Sequence, residues 1–113
     1  MKQIQAIIRP EKLDAAKDAL VAFGIKGVTV QSVKGFGRQL GHTEVYRGVK
    51  LEARLLPKVL LTLVVVDGDL AAVVELLRTT CQTGEVGDGK IIVTAVEQAI
   101  RIRTGETGDD SLA

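Results

Sequence analysis

The sequence predicts an α+β fold, a βαββαβ sandwich in which one antiparallel sheet carries both helices on the same face. Three observations predict it. Segments of strand and helix character alternate as β-α-β, a long loop, then β-α-β. The chain has 113 residues, enough for one core but not for two, so residues 1–113 form a single domain. The segment Val59–Val66, VLLTLVVV, is apolar at both parities except at Thr62. A strand of that kind is covered on both sides, yet the helices of such a sandwich cover only one. A second copy of the chain is the simplest second cover, so a homo-oligomer is expected. The competing expectation is that the C-terminal segment folds back over the sheet.

Each element has its own signal. Ile4–Ile8 reads as a short strand. Pro10 suits the first turn of a helix, Leu13, Ala16, Leu20 and Phe23 follow at helical spacing, and Gly24 is a C-terminal stop. Gly27–Gly35 alternates Val28, Val30 and Val33 with polar residues, as a second strand does. Residues 37–55 have no clean period and many charges, which marks a long loop. Leu56–Val66 is the third strand, with Pro57 near its start. Asp67–Asp69 offers helix-capping side chains before the stripe Leu70, Val73, Val74 and Leu77, which runs to about Cys81. Ile91–Val96 is the fourth strand, and residues 105–113 read as a loose polar tail. The arrangement is the ferredoxin-like one.

Composition excludes several functions. Net charge is +1, which gives no general field for nucleic acid or a membrane surface. Aromatics make up only 3% of the chain and none lies on the apolar third strand, so RNA binding by base stacking has no platform. The single Cys81 excludes an internal disulfide; with His42 it makes no metal-ligand set. No stretch reaches the ~18 apolar residues of a membrane span, and no signal peptide is evident, so a cytoplasmic protein is expected.

Two glycine clusters carry the chemistry. Gln82–Lys90, QTGEVGDGK, places Gly84, Gly87 and Gly89 before Lys90. Glycines permit positive φ and close approach, so several amides can converge on an anion. Gly84, Gly89 and Lys90 satisfy the letters of a phosphate-binding P-loop, but Ile91 stands where a Ser or Thr would hold magnesium. The order helix–loop–strand is also the reverse of a P-loop. Taken alone, the segment reads equally as a glycine-rich turn with an exposed lysine. Arg101 and Arg103, two residues apart, point the same way if their segment is strand-like, and add two cations. The second cluster, Gly35, Gly37 and Gly41, surrounds Arg38 and Gln39. Arg38 offers bidentate donors to phosphate, and Gln39 a carbonyl oxygen to magnesium.

VKGFGRQLGHTEVYRG (Val33–Gly48), LPKV (Leu56–Val59), QTGEVGDGK and IRIRTGE (Ile100–Glu106) closely resemble the PII signal-transduction proteins, the nitrogen regulators, in order and over nearly the whole chain. The resemblance implies a trimer of ferredoxin-like subunits with nucleotide in the clefts between neighbours. It implies that Gly87, Asp88, Gly89 and Lys90 hold ATP or ADP phosphates, with Arg101 and Arg103 reaching in from the adjacent subunit. Thr29, Gly35, Phe36, Gly37, Arg38 and Val64 would line the nucleoside and α/β-phosphate side. Gln39 would join Mg2+ and the γ-phosphate in positioning 2-oxoglutarate, with Lys58 on its distal carboxylate. The loop over about residues 37–55 would report ligand state to an ammonium transporter or a nitrogen-metabolism enzyme, with Thr43, Glu44, Tyr46 and Arg47 at the contact. The implied role is sensing, not turnover.

This chain also departs from the pattern. Leu51 occupies the position of the family's usual uridylylated tyrosine, and Val49 one where some relatives carry a phosphorylated serine, so neither modification is expected. Thr62 stands where a glutamate often reads the adenine. Two alternatives remain: a slow ATPase, for which Asp88 and His42 are the nearest candidate bases, and a sensor of a different small effector.

Overall fold

A computed structural model describes residues 1–37 and 54–113. The strands are β1 (Lys2–Ile8), β2 (Thr29–Gly35), β3 (Leu56–Val65) and β4 (Lys90–Ala95); the helices are α1 (Leu13–Phe23) and α2 (Leu70–Cys81). The sheet order is β2-β3-β1-β4, and every pairing is antiparallel. This is the ferredoxin-like arrangement, and every expected strand and helix is present.

The core explains why both helices share a face. Ile4, Ala6 and Ile8 alternate along β1, and Val59, Leu61, Leu63 and Val65 along β3. Residues two apart on a strand face one way. These seven pack in one buried cluster with Ala16 and Leu20 of α1 and with Val73, Leu77 and Cys81 of α2. The opposite face is only half-buried: Lys58, Leu60, Thr62 and Val64 alternate with the core residues of β3 and remain partly exposed. On the β4 edge, Ile92 and Val93 are each 40% exposed. No helix is long and apolar enough to cross a membrane among the described residues.

Local chemistry sets the boundaries. Gly24 ends α1 in the left-handed region, at φ 108°, and its amide donates back to the Leu20 and Val21 carbonyls. Pro10–Lys12 forms a 3-10 turn that leads into α1, so the helix proper starts three residues later than Pro10. β4 begins at Lys90, which puts the last residue of the glycine motif on the sheet.

Three expectations need correction. Asp67–Asp69 does not cap α2 by its side chains; it forms a 3-10 turn without a side-chain cap bond. Asp67 instead accepts from the Met1 amine at 2.9 Å, because β1 starts beside the end of β3. The tail is not loose: Ile100 and Thr107 bridge, and Gly108–Leu112 forms a 3-10 helix. Arg101–Thr104 is a turn closed by Gly105, not a strand, so Arg101 and Arg103 do not act as a parallel pair. Gly105 supplies the positive φ, 75°, that brings its amide to the Arg101 carbonyl at 2.7 Å.

Gly89 is the position where glycine is indispensable. Its φ is +101°, and a Cβ there would lie 1.7 Å from the Ile7 carbonyl oxygen of β1. Gly84 has φ +88° but open space around it. Gly84→Ala is expected to cost about 1–2 kcal/mol, the left-handed penalty alone. Gly89→Ala adds a backbone clash and is expected to cost roughly 2–5 kcal/mol. Thermal melts of both variants check this, and equal losses would contradict it.

Candidate functional site

The turn between α2 and β4 is organised around one carboxylate. Asp88 accepts from the Thr83 amide at 2.7 Å, the Gly84 amide at 2.9 Å and the Thr83 hydroxyl. The Thr83 hydroxyl in turn accepts from the Glu85 amide at 3.2 Å. Arg9, just beyond β1, donates from Nε to Asp88 Oδ1 at 2.9 Å and from Nη2 to the Val86 carbonyl at 3.0 Å. These bonds stabilise the ionised form. The Thr83 hydroxyl and then Arg9 contribute most, and they hold the Asp88 carboxyl well below the usual carboxylate range.

Lys58 of β3 completes the frame by donating Nζ to the Gly87 carbonyl at 2.7 Å. Two successive carbonyls, of Val86 and Gly87, are thus held by two cations. In a trans peptide the N–H points opposite to the C=O. The amides of Gly87 and Asp88 therefore face away from Arg9 and Lys58. Among the described residues, no hydrogen bond engages either amide. Gly87 sits at φ 105° and Gly89 at φ 101°, so the backbone at this turn is shaped by positive φ on both sides of Asp88. Lys90 follows at the head of β4 and is exposed. Unengaged amides beside an exposed lysine suit a phosphate group.

A second group of expected residues lies elsewhere. Thr29, Val64 and Arg101 line one open cleft of about 770 Å³ together with Thr62, Asp109, Ser111 and Leu112. Thr29 and Thr62 are register partners across β2 and β3. Val64 and Lys58 share a sheet face but stand six residues apart on β3, about 20 Å at strand rise. The described candidate residues therefore fall into two groups at opposite ends of β3. Gly35 pairs with Leu56 at the Lys58 end, and Phe36 beside it is 57% exposed. Gly37 is also exposed. Arg103 is exposed, with no hydrogen-bond partner among the described residues. Arg38, Gln39, Thr43, Glu44, Tyr46 and Arg47 lie outside the described residues, as do His42, Val49 and Leu51.

Sequence reasoning missed three participants. Arg9 and Thr83 frame Asp88, but Arg9 meets it across 79 residues, a pairing that no local pattern encodes. Glu106 and the tail engage Arg101: Glu106 Oε1 accepts from Arg101 Nη1 at 2.9 Å. The described residues hold no cluster of three or more His, Cys, Asp or Glu placed to bind a metal.

A family model described as "Nitrogen regulatory protein P-II" matches residues 1–106. The "Nitrogen regulatory protein P-II" of Rhizobium meliloti is 54% identical over 112 residues, covering 99% of this chain and 100% of the relative. Its namesake in Cereibacter sphaeroides is also 54% identical over the same span. The namesake in Rhodospirillum rubrum is 53% identical, with the same coverage.

The depressed Asp88 carboxyl has a pH signature. Its bonds are fully formed above the ordinary aspartate pKa of about 3.9 and weaken only as pH falls through the lower folded value. The Thr83 and Gly84 amide resonances are therefore expected to stay unchanged from pH 7 to below pH ~4. A titration midpoint at the ordinary aspartate value would contradict the bonding described.

Proposed function

Because this chain belongs to the nitrogen regulatory protein P-II family, we propose that it is a cytoplasmic sensor that binds ATP or ADP between subunits and signals to nitrogen-metabolism partners. The observation that carries the nucleotide reading is the glycine turn: two adjacent amides are left unengaged, and their carbonyls are tied back by Arg9 and Lys58. Such a turn is ready for an anion, because its dipoles need no reorganisation. Lys90 adds a point charge, and the Gly89 approach to Ile7 fixes where the chain enters the sheet at that lysine. Asp88 acts within the turn as its organiser, since its carboxylate faces four donors.

The separation of the two groups supports a shared site. Thr29, Val64 and Arg101 line a cleft distant from Lys58 and Lys90 along β3. A nucleotide that touches both sets takes one from each of two copies. The half-buried second sheet face, with Leu60 and Val64 on it, gives those copies an apolar surface to bury. A homotrimer is the assembly we propose. Mg2+ and 2-oxoglutarate would join the nucleotide through Gln39 and Lys58. For Lys58 this means releasing the Gly87 carbonyl in favour of a carboxylate, a charge-assisted exchange. The ligand state would then bias the loop over about residues 37–55, which an ammonium transporter or a nitrogen-assimilation enzyme reads.

A regulatory role fits Asp88 better than catalysis does. A carboxylate engaged by four donors and held ionised is a poor general base, which weakens the slow-ATPase alternative. Lys90→Ala is expected to weaken ATP binding roughly ten-fold or more, the loss of a charge-assisted contact of ~1.5–3 kcal/mol. Titration calorimetry of the full chain, run beside sedimentation equilibrium, checks both parts. Unchanged affinity would refute the role of Lys90, and a monomer would refute the shared site.

A further inference from the structure

Arg101 is already occupied by its own chain. Its Nη1 donates to Glu106 Oε1 at 2.9 Å, and its Nη2 faces the carbonyls of Ser111 at 3.3 Å and Asp110 at 3.5 Å and the carboxylate oxygen of Ala113. Glu106 is held for this contact: its Oε1 also accepts from the Thr104 hydroxyl at 2.8 Å, and its own amide donates to that hydroxyl at 3.3 Å. The backbone closes the same loop. The Arg101 amide donates to the Glu106 carbonyl at 2.8 Å, and the Gly108 amide to the Ala99 carbonyl at 3.0 Å. Gly108, at φ 63°, turns the chain into the 3-10 helix Gly108–Leu112, where the Ser111 hydroxyl donates to the Gly108 carbonyl at 2.6 Å. Asp109, Ser111 and Leu112 then form one wall of the cleft lined by Thr29 and Val64.

We propose that Glu106–Leu112 is an autoinhibitory strap: it competes with nucleotide phosphate for the Arg101 guanidinium and is displaced when phosphate binds. The proposal rests on the nucleotide reading above and adds its regulation. A guanidinium offers both terminal nitrogens to one phosphate in bidentate geometry, and here Glu106 and the tail carbonyls already hold both nitrogens. A phosphate concentrates its charge on one group that takes both nitrogens, whereas Glu106 and Ala113 each engage one, so phosphate wins the exchange, but the contacts it replaces reduce its net affinity. The linkage is reciprocal: nucleotide loosens the strap, and any partner that holds the strap down weakens nucleotide binding. Ile102, fully exposed, and Arg103 project beside this turn and leave it open to such a partner.

The test compares the full chain with Glu106→Gln, which keeps the shape of the side chain and removes its charge. Calorimetric titration with ADP is expected to give about two- to five-fold tighter binding for Glu106→Gln, the range in which a partly exposed ion pair counts. Hydrogen exchange on the unaltered chain provides an independent readout. The Gly108 amide, bonded to Ala99, is expected to exchange faster when ADP is added. If Glu106→Gln binds ADP no more tightly than the unaltered chain, or if Gly108 keeps its protection in the complex, the strap is refuted while the nucleotide reading stands. If the unaltered chain binds neither ADP nor ATP at millimolar levels, the nucleotide reading fails and the strap fails with it.

Discussion

The ion pair between Arg9 and Asp88 ties the end of β1 to a turn 79 residues away in sequence. The shape of that turn depends on it. Asp88 gathers the amides at the start of the turn, while the other arm of Arg9 takes the Val86 carbonyl at its middle. Lys58 fixes the next carbonyl from β3. The turn is thus held by Arg9 just beyond β1 and by Lys58 of β3, and it runs directly into β4 at Lys90. A flexible glycine-rich segment loses much entropy when it is ordered. Here the charged frame offsets part of that loss. The contact of Gly89 with the Ile7 carbonyl adds a steric limit that no other residue meets.

The sheet carries the second constraint. One face is a closed apolar core under α1 and α2, and the other is apolar in part and covered only in part. The candidate residues are distributed along that second face. The Lys58 end meets the glycine turn, and the Val64 end meets the Arg101 cleft. In the proposed nucleotide reading each end supplies part of the set: Lys58 beside the glycine turn at one, Thr29, Val64 and Arg101 at the other. The ferredoxin-like fold here acts as a spacer that holds the two groups of residues at opposite ends of β3, and the proposed assembly would bring one of each together. Arg101 is satisfied within its own chain by Glu106 and the tail.

Much of this was legible in the residues. Alternation in β1 and β3, helical spacing in α1 and α2, and Gly24 as a stop are local signals, and local signals survive folding. The glycine turn was legible too, because positive φ at Gly84, Gly87 and Gly89 leaves a compositional mark. The errors share a cause. Asp67 reads as a cap, but its partner is Met1, 66 residues away. Arg101 and Arg103 read as a pair at strand spacing, but Gly105 turns the chain there and separates their fates. Residues 105–113 read as a loose tail because the sequence is polar, although its carbonyls converge on Arg101. Long-range hydrogen bonds to a single side chain have no period and leave no pattern. Arg9 was missed for the same reason.

The central claim is that the turn at Gly87–Lys90 presents preset amides to a phosphate. Backbone amide shifts of the full chain, followed through a titration with ADP, test it most directly. The account predicts saturable shifts that are largest at Gly87, Asp88 and Lys90. ADP binding that leaves those three amides unmoved, with its shifts centred elsewhere in the sheet, would contradict it.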